Sequence, residues 1–380
     1  MALAATFLAL IGTLYTLASL AALRRFRPRA APPPPLDPPP VVILKPLHGA
    51  EPRLADNLAT ALAEAAAWPG GARLVAGVAR ADDPAVAAFA NARAAYPGID
   101  ARLVIDATRH GANAKVGNLL NMVAATPPGP PDEIIVLADS DMAVRPGYLA
   151  ELAAALAQPG VGVATCLYAG RADAGAWSRI AAAGVGWQFL PAVAMAVRLG
   201  ISWPCMGATI ALRRATLERI GGFAPFADML ADDHAIGARV RALGLTIAYP
   251  PLVLTHAHPE ASAGEWARRE LRANVTVRVL DPWGYVGSVV TWPVPWALIA
   301  LALAPGPVAG AVLGAAALAR VALAAAVNRI AATRPLPPLA APVRDMAGFV
   351  LYAAALVASR VDWRGTALSL TRHGQDIAER

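Results

Sequence analysis

Lysine and cysteine are scarce in this chain. Its only lysines are Lys45 and Lys115, and every other basic side chain is an arginine. The only cysteines, Cys166 and Cys205, are too few for a disulfide framework, and their spacing is not that of a metal site. This excludes a disulfide-stapled secreted domain, and we expect two buried thiols in a reducing compartment.

Charged residues are also few. They make up 16% of the 380 residues, whereas hydrophobic residues make up 57% and the mean hydropathy is +0.48. These values are too apolar for an ordinary soluble protein, so a membrane protein with a substantial soluble part fits best. The length allows two or three folding units.

The net charge of +7 comes largely from arginines that flank apolar stretches. Such flanks favour contact with anionic lipid headgroups. The chain has no basic stripe with interleaved aromatic residues, which a nucleic-acid surface would show. We therefore expect the lipid bilayer as a partner and no nucleic acid.

Residues 2–22 form an apolar run that contains no charge. About 20 such residues cross a bilayer, so we predict a transmembrane helix at 1–23. Arginines follow it, and the positive-inside rule then puts this flank in the cytosol and the N-terminus outside. A cleaved signal peptide is the alternative, but the charge follows the run and no clear cleavage site is present. Residues 24–40 are basic and rich in proline, which predicts a stiff linker.

Between 41 and 260, apolar strand patterns alternate with helical segments rich in Ala and Leu. The predicted strands are 41–45, 73–79, 101–106, 133–138, 161–168 and 207–213, and examples of the predicted helices are 52–67, 84–95 and 146–157. This alternation indicates an α/β domain with a parallel, mostly doubly wound sheet. A unit of this size can bury a full core.

An amphipathic helix is predicted at 261–283. Ser262 and Glu265 form a capping box at its start, and Arg268 and Arg272 share one face. Apolar side chains lie among these arginines, so we expect the helix to lie in the membrane interface.

Apolar runs recur after this helix and predict membrane-associated helices in 284–360, followed by a tail at 361–380. The runs are 285–304, 307–325 and 346–359. The arginine-bearing loop 326–345 is expected in the cytosol. The last run raises a conflict, because arginines beyond it favour the cytosol whereas a full crossing would put them outside. A re-entrant or interfacial last helix would remove this conflict.

The predicted strand at 133–138 ends in Asp139-Ser140-Asp141. Ligands of open α/β sheets bind outside the carboxyl ends of the strands. Two carboxylates one residue apart at such an end can meet a divalent cation and a diphosphate. The alternative is an ordinary Asp-Ser-Asp turn, and the motif alone does not decide between the two.

Two further motifs suit a nucleotide. Asp82-Asp83-Pro84 follows the strand at 73–79, and it could bind a nucleobase or ribose or simply cap a helix. Lys115 stands at a predicted loop-to-helix junction, where a lysine and a helix N-terminus together attract an anion. The alternative for Lys115 is a solvated side chain on a capped helix.

Acidic and histidine motifs follow in the second half of the domain. The sequence Asp232-Asp233-His234 stands at the start of a predicted helix. The two carboxylates could cap this helix, or one of them could act as a base that takes a proton from a hydroxyl group. His256 and His258 alternate in a predicted strand, so both could meet a metal, with His256 the better candidate. Such a pair is more often ordinary polar packing.

Arg269 and Arg272 lie one turn apart on the amphipathic helix. Paired arginines suit bidentate contact with phosphate oxygens, and a lipid-facing basic stripe is a compatible interpretation. The carboxylates all follow strands or cap helices on one predicted sheet edge, with a lysine among them and the arginine pair close behind. Together they indicate a nucleotide-diphosphate donor with a divalent cation.

The ordered motifs resemble those of inverting glycosyltransferases of the family 2 type, which have a GT-A, Rossmann-like fold. Within that group the chain resembles the ceramide glucosyltransferase family, and most closely its bacterial branch, the hopanoid-biosynthesis-associated glycosyltransferases. The segments that carry the resemblance are 44–51, 82–85, 110–116, 138–142, 207–214, 220–223, 231–233 and 270–272.

The resemblance implies a role for each acidic motif. Asp83 and Asp139 would hold the UDP moiety with help from Lys115. Asp141, together with Asp139, would ligate Mg²⁺ or Mn²⁺ at the diphosphate. Asp233 would be the general base that activates the acceptor hydroxyl.

The resemblance also implies that Arg269 and Arg272 match the family's (Gln/Arg)-x-x-Arg-Trp motif beside the diphosphate. The implied reaction is one in-line displacement that inverts the anomeric carbon. Two positions depart from the family pattern: Ala273 replaces the tryptophan, and His234 follows the base where an aromatic residue is usual. The first departure bears on acceptor choice and turnover.

A membrane lipid is the expected acceptor, because apolar helices are predicted on both sides of the catalytic domain. The resemblance suggests transfer from UDP-N-acetylglucosamine to a hopanoid such as bacteriohopanetetrol. It implies a multi-pass protein of the bacterial inner membrane whose catalytic domain faces the cytosol. The alternatives are a ceramide glucosyltransferase that uses UDP-glucose and a catalytically inactive lipid-binding protein of the same fold.

Overall fold

The structure, a computed structural model, describes residues 1–358, 360–363 and 366–369. The rest of the predicted tail, with Arg364 and Arg372, lies outside the described residues. The strands in chain order are β1 (Val41–Pro46), β2 (Ala72–Val78), β3 (Asp100–Ile105), β4 (Ile134–Ala138), β5 (Met142–Ala143), β6 (Val161–Thr165), β7 (Leu167–Ala172), β8 (Thr209–Arg213), β9 (Thr246–Ala248), β10 (Val253–His258), β11 (Arg360–Trp363) and β12 (Thr366–Ser369).

Long helices precede, cover and follow the sheet. In chain order they are α1 (Ala2–Leu23), α2 (Leu54–Ala67), α3 (Pro84–Ala94), α4 (Ala114–Ala124), α5 (Tyr148–Leu156), α6 (Ala176–Gly184), α7 (Leu190–Leu199), α8 (Arg214–Arg219), α9 (Asp232–Ala242), α10 (Ala263–Leu280), α11 (Pro282–Gly287), α12 (Pro293–Leu303), α13 (Pro307–Ala331) and α14 (Ala341–Val357). A π-helical turn at Val185–Phe189 joins α6 to α7.

The main sheet has seven strands in the order β3-β2-β1-β4-β8-β6-β9. Neighbours from β3 to β4 are parallel, β8 runs antiparallel between β4 and β6, and β9 is parallel to β6. The predicted α/β class with a mostly parallel, Rossmann-like sheet is confirmed. β8 is the one reversed strand of this sheet, and the sequence pattern did not reveal its direction.

One predicted strand is wrong. The run 161–168 is two strands, β6 and β7, which belong to different sheets. The chain leaves the main sheet at the fully buried Cys166. Both strands are largely buried, so the apolar pattern continues without a break and hides the change of sheet.

β7 belongs to a small sheet with the order β5-β10-β7. In it His256 pairs with Met142 on one side and with Gly170 on the other. β5 directly follows the Asp139-Ser140-Asp141 motif. The small sheet therefore brings this motif and the His256–His258 pair together.

Alternate residues of β4 point into two separate hydrophobic cores, one on each face of the main sheet. Ile134 and Val136 pack with α2, α3 and α5. Ile135 and Leu137 pack with α4 and α9, and this second core continues into α1, α7 and α13. Burial on both faces explains the continuous apolar run before the Asp-Ser-Asp motif.

Four helices of the described residues are long and apolar enough to cross a membrane: Ala2–Phe26, Ala176–Leu199, Pro307–Ala331 and Pro338–Val357. A pair bent by 63°, Pro282–Thr291 with Pro293–Leu303, makes a fifth if it is one broken span. The predicted apolar helices at both ends of the chain are confirmed. The helix at 176–199 was not predicted, and α13 extends to Ala331, into the segment predicted as a loop.

A buried ion pair links the apolar helices. Arg320 of α13 donates from Nε and Nη2 to the carboxylate of Asp345 in α14 at 2.5 and 2.7 Å. Its Nη2 also donates to the Trp187 carbonyl in the π-helical turn at 3.1 Å. Charged side chains between apolar helices pair and face the bundle interior because an isolated charge there is costly.

α10 begins as the sequence predicts and then runs beside α14. Ser262 Oγ accepts a hydrogen bond from the Glu265 N–H, which forms the N-cap. Arg344 near the start of α14 pairs with Glu270 at 2.5 Å. Arg278 near the end of α10 donates to the carbonyls of residues 356 and 358 at the end of α14. The two helices therefore run in the same direction.

Gly170 lies where β7 of the small sheet packs closely against α6. A Cβ at this position would lie 2.3 Å from the Ala182 Cα, so α6 has to move away. We expect Gly170→Ala to lower the free energy of unfolding by about 2 kcal/mol or more, the usual cost of overpacking.

Thermal unfolding in detergent measures this, and Gly98→Ala is the matched control. A Cβ at Gly98 meets no atom within 4 Å. Equal unfolding temperatures for the two variants would contradict the close contact of β7 with α6.

Candidate active site

A cavity of about 1060 Å³ opens beside the carboxyl ends of β1, β2 and β4. Its polar lining comes from the loops after these strands and after β3, from the start of α4, from the segment that leads into α9, and from α10. The charged and titratable residues that line it are His48, Asp106, Arg109, His110, Lys115, Asp139, Asp228, Asp232, Asp233 and Arg272. The structure therefore places Lys115, Asp139, Asp233 and Arg272 of the predicted site residues around one cavity.

Lys115 and Asp139 form the central ion pair. The Lys115 Nζ lies 2.6 Å from Asp139 Oδ1 and 3.9 Å from Asp232 Oδ2. Burial opposes the charge on Lys115, but Asp139, Asp232 and Asp233 outweigh it and raise the lysine pKa. Burial raises the pKa of Asp139, and Lys115 opposes this shift. Lys115 thus opposes the protonation of a cluster of buried carboxylates.

The position of Lys115 follows from the start of α4. The Asn113 side chain accepts hydrogen bonds from the N–H groups of Lys115 and Val116 at 3.0 and 3.2 Å, which caps the helix. The lysine therefore stands in the first turn, where the helix dipole also favours an anion. Lys115 can therefore belong to a capped helix start and also contribute to the predicted anion-binding site.

The Lys45 side chain supports the backbone of the Asp139-Ser140-Asp141 loop. This side chain is fully buried, and Nζ donates to the carbonyls of Asp139 at 2.8 Å and Met142 at 3.2 Å. Burial lowers the pKa of Lys45 to about 8. Lys45 is one of the two lysines of the chain, and its role follows only from these long-range contacts.

Asp141 faces the histidine pair rather than Lys115. Its Oδ2 lies 3.2 Å from His256 Nε2, and its Oδ1 is buried and has no hydrogen-bond partner among the described residues. Burial would raise the pKa of Asp141, but His256 outweighs this and holds it below its usual value. Asp139 and Asp141 therefore point to different partners.

A chain of polar contacts extends from His256 to the amphipathic helix. His256 Nδ1 lies 3.2 Å from His258 Nε2, and His258 contacts Glu260 at 3.3 Å. Burial lowers the pKa of His258 to about 4. Glu260 accepts a hydrogen bond from Arg269 Nη1 at 2.8 Å. Arg269 thus contacts the histidine pair and is not among the residues that line the cavity.

Asp233 is held by two backbone donors at the start of α9. Its Oδ2 accepts from the Gly207 N–H at 2.8 Å, and its Oδ1 accepts from the His234 N–H at 2.7 Å. Burial raises the pKa of Asp233, with Lys115 opposing. Burial and the charge of Arg241 lower the pKa of the His234 ring. Asp233 is not among the causes of this shift.

Asp83 caps α3 and does not line the cavity. Its carboxylate accepts hydrogen bonds from the N–H groups of Ala85 at 2.8 Å and of Gly49 at 2.9 Å. These bonds tie the loop after β1 to the start of α3. His48 of that loop lines the cavity, and its Nδ1 lies 3.7 Å from Asp83.

Three other carboxylates belong to this region although no site role was predicted for them. Asp232 faces Lys115, Glu260 faces Arg269, and Glu51 is mostly buried beside Ser140, where burial raises its pKa to about 7. Their positions depend on long-range packing, so only their presence in the motifs could have suggested them. Ala273, which replaces the family tryptophan, is exposed on α10 and does not line the cavity.

The sequence profile of glycosyl transferase family 21 matches residues 4–376. The chain belongs to this family. The protein is therefore a glycosyltransferase, and the predicted ceramide glucosyltransferase-like family is confirmed. Family membership and strand order together confirm the predicted GT-A type of sheet. No curated protein matches the chain.

Solved structures with a similar fold share little sequence with this family 21 member. The mannosyltransferase PcManGT from Pyrobaculum calidifontis, solved with GDP-Man and Mn²⁺, is 20% identical with a TM-score of 0.48, over 92% of this chain and 99% of its own. Glucosyl-3-phosphoglycerate synthase from Mycobacterium tuberculosis, solved with Mn²⁺, UDP and its product, is 18% identical with a TM-score of 0.38, over 63% of this chain and 79% of its own.

The Lys115–Asp139 pair has a measurable coupling energy. Lys115→Gln alone leaves buried carboxylates without a counter-charge, and we expect a loss of about 3 kcal/mol of unfolding free energy. Adding Asp139→Asn removes one of these charges and should recover part of the loss. Chemical denaturation of both single variants and the double variant measures the coupling. Strictly additive losses would contradict the ion pair.

Proposed function

We propose that this family 21 glycosyltransferase moves a sugar from a UDP-sugar to a hydroxyl of a membrane lipid. The observation that carries the proposal is the composition of the cavity wall. Lys115, Asp139 and Asp233 line it from the α/β domain, and Arg272 and Thr276 line it from α10, which packs against the apolar helix α14. A polar donor and a lipid acceptor can therefore reach the same cavity.

The donor would lie along the carboxyl ends of β1, β2 and β4. His48, with Asp83 behind it, stands at the end where the nucleoside would bind. Lys115 and Asp139 stand next along the cavity and would hold the UDP moiety. Arg272 lines the cavity from α10, and Arg269 lies behind it at the histidine pair. This arrangement suits a diphosphate, because guanidinium groups bind phosphate oxygens in bidentate geometry.

A divalent cation, Mg²⁺ or Mn²⁺, fits beside Asp141. The residue offers a buried carboxylate oxygen without a hydrogen-bond partner, and the imidazole of His256 is adjacent. Among the described residues no three His, Cys, Asp or Glu side chains form a metal cluster. Such cations commonly bind through one or two carboxylates plus substrate phosphates. Asp141 would hold the cation, with His256 and Asp139 nearby, and the bound cation would neutralise charge on the departing UDP.

Asp233 would act as the general base. Its two backbone hydrogen bonds fix the orientation of the carboxylate. Burial raises its pKa and so makes it a stronger base, while Lys115 favours its charged form. The acceptor oxygen forms its bond to the anomeric carbon while the bond from that carbon to UDP breaks. The hydroxyl proton passes to Asp233, and the configuration at the anomeric carbon is inverted.

The proposed acceptor is a hopanoid such as bacteriohopanetetrol, with N-acetylglucosamine as the transferred sugar. Ceramide with UDP-glucose is the alternative, and both are lipids with hydroxyl groups at the polar end. Ala273 leaves space on α10 where the family has a tryptophan, which supports a difference in acceptor choice rather than a loss of the carboxylates needed for transfer.

We further propose that the protein lies in the bacterial inner membrane with its catalytic domain in the cytosol, and that α14 lies in the membrane interface. α14 runs beside α10 from the Glu270–Arg344 pair to the Arg278 contacts at its end. A full crossing by α14 would carry α10 across as well. That is unfavourable because α10 is rich in charge, with Arg268, Arg269, Glu270, Arg272 and Arg278. An interfacial α14 also keeps the following arginines in the cytosol.

Asp233→Asn should reduce sugar transfer at least ~100-fold while UDP binding stays within a few-fold, because only the proton acceptor is lost. Transfer of labelled sugar to extracted lipids by membrane fractions measures the rate, and calorimetry with UDP measures binding. Asp132→Asn, an exposed residue, is the matched control. Transfer by Asp233→Asn at the normal rate would rule out the assigned base.

The acceptor can be identified by mass spectrometry of lipids from cells with and without the protein. We expect an N-acetylhexosamine-bearing hopanoid only when the protein is present. A glycosylated ceramide in its place would assign the alternative substrate. An unchanged lipid profile, together with a folded protein, would contradict a lipid acceptor.

The orientation of α14 predicts where the chain beyond it lies. Green fluorescent protein joined after residue 380 should fluoresce, and alkaline phosphatase at the same place should be inactive, because the first matures in the cytosol and the second outside it. Fusions after Pro305, at the tip between α12 and α13, should give the opposite pattern. An active phosphatase after residue 380 would show that α14 crosses the membrane.

A further inference from the structure

A second cavity, of about 570 Å³, lies beside the small sheet and shares no lining residue with the donor cavity. Thr255 of β10 lines it, whereas the adjacent His256 faces Asp141. Neighbouring residues of a strand point to opposite faces, so this cavity lies on the face of β10 opposite the His256–Asp141 contact. Four arginines line the second cavity: Arg53, Arg171, Arg179 and Arg334.

Two of these arginines have carboxylate partners. Arg171 pairs with Asp173 at 2.8 Å and also donates to Asn57 Oδ1 at 3.0 Å. Arg53 pairs with Asp56 at 2.8 Å. Their charges are therefore balanced within the protein, and the contacts of Arg171 hold it in place at the wall of the cavity.

The other two arginines form no ion pair with a carboxylate among the described residues. Arg179 donates from Nε to the Pro335 carbonyl at 2.6 Å, which positions the guanidinium without neutralising it. Arg334 makes no hydrogen bond or ion pair with any described residue. Both side chains are exposed, and both line the cavity. The cavity therefore has two positive charges and several N–H donors available to a ligand.

The position of the cavity indicates the source of that ligand. Gly175 and Arg179 lie at the start of the apolar helix 176–199, and residues 332–335 follow the end of α13. Arg145 donates to the last carbonyls of α13, which fixes this end of the helix to the α/β domain. Two helices long and apolar enough to contact a bilayer thus meet at this cavity, as expected of a site at the level of the lipid headgroups.

A stacked tryptophan pair lies near the start of the apolar helix 176–199. Trp177, in the first turn of α6, stacks on Trp266 of α10 with 5.9 Å between the ring centroids, and it is partly exposed. Tryptophan is enriched at the boundary between membrane and water. The cavity lined by Arg179 therefore opens close to the interfacial level of α10.

We infer that this cavity binds the phosphodiester headgroup of an anionic phospholipid, as a site separate from sugar transfer. Basic pockets at the cytoplasmic ends of membrane helices bind such headgroups. The guanidinium groups of Arg179 and Arg334 would contact the phosphate oxygens, while the lipid chains extend along the adjoining apolar helices. A free phosphate ion has the same headgroup chemistry but lacks the chains, so the two sources can be separated by experiment.

The test measures stabilisation of the full-length protein by phosphatidylglycerol added to phosphatidylcholine-containing micelles, followed by thermal unfolding. We expect saturable stabilisation by phosphatidylglycerol in the unaltered protein. The variant Arg179→Gln with Arg334→Gln should bind about 30-fold more weakly, because two basic contacts are lost. Arg334→Gln alone removes no hydrogen bond or ion pair within the described part of the chain, so weaker binding by this variant would reflect loss of the ligand contact.

A second double variant, Arg93→Gln with Arg219→Gln, removes the same charge from exposed positions away from the cavity and should bind like the unaltered protein. Inorganic phosphate alone should give no saturable stabilisation. Unchanged lipid binding by the Arg179 and Arg334 double variant would overturn the site, as would an equal loss in the control. Saturable binding of phosphate without any effect of phosphatidylglycerol would overturn its assignment to a lipid.

Discussion

Negative charge buried at the carboxyl edge of the sheet has to be balanced, and the rest of the site depends on how the protein does this. Asp139, Asp232 and Asp233 converge on the ammonium of Lys115. Without it, desolvation would favour the neutral carboxylic acids, which bind neither a cation nor a proton from an acceptor. The near absence of lysine elsewhere makes the assignment of this role unusually direct.

Lys45 stabilises the backbone of the same region. It contacts backbone carbonyls rather than carboxylates, and it thereby sets the path of the loop from Asp139 to Met142. This path sends Asp139 to Lys115 and Asp141 to His256. Two acidic positions one residue apart thus acquire different environments, Asp139 beside the Lys115 ammonium and Asp141 beside the His256 imidazole.

The catalytic and apolar parts of the protein are not separate layers. One face of the main sheet shares a core with the apolar helix 176–199, and this helix packs against α1 and α13. The polar chain from His256 through Glu260 reaches Arg269 on α10, and α10 is tied to α14 by the Glu270–Arg344 pair. The geometry around Asp141 and His256 is therefore coupled, through α10, to the apolar helix α14.

The sequence alone determined the α/β class, the flanking apolar helices, the capped start of α10 and the family, because these depend on local periodicity and short motifs. The carboxylate and lysine motifs also indicated the chemistry before any contact was known.

Only the tertiary structure decided which motifs meet. The split of 161–168 into two sheets, the direction of β8 and the pairing of Asp141 with His256 all join residues far apart in the chain. A continuous apolar pattern reports burial, and it does not report which sheet or helix provides that burial. The composition of α14 likewise does not reveal its packing partner. Its apolar sequence suits a membrane span, but its contacts with the charged helix α10 favour the membrane interface.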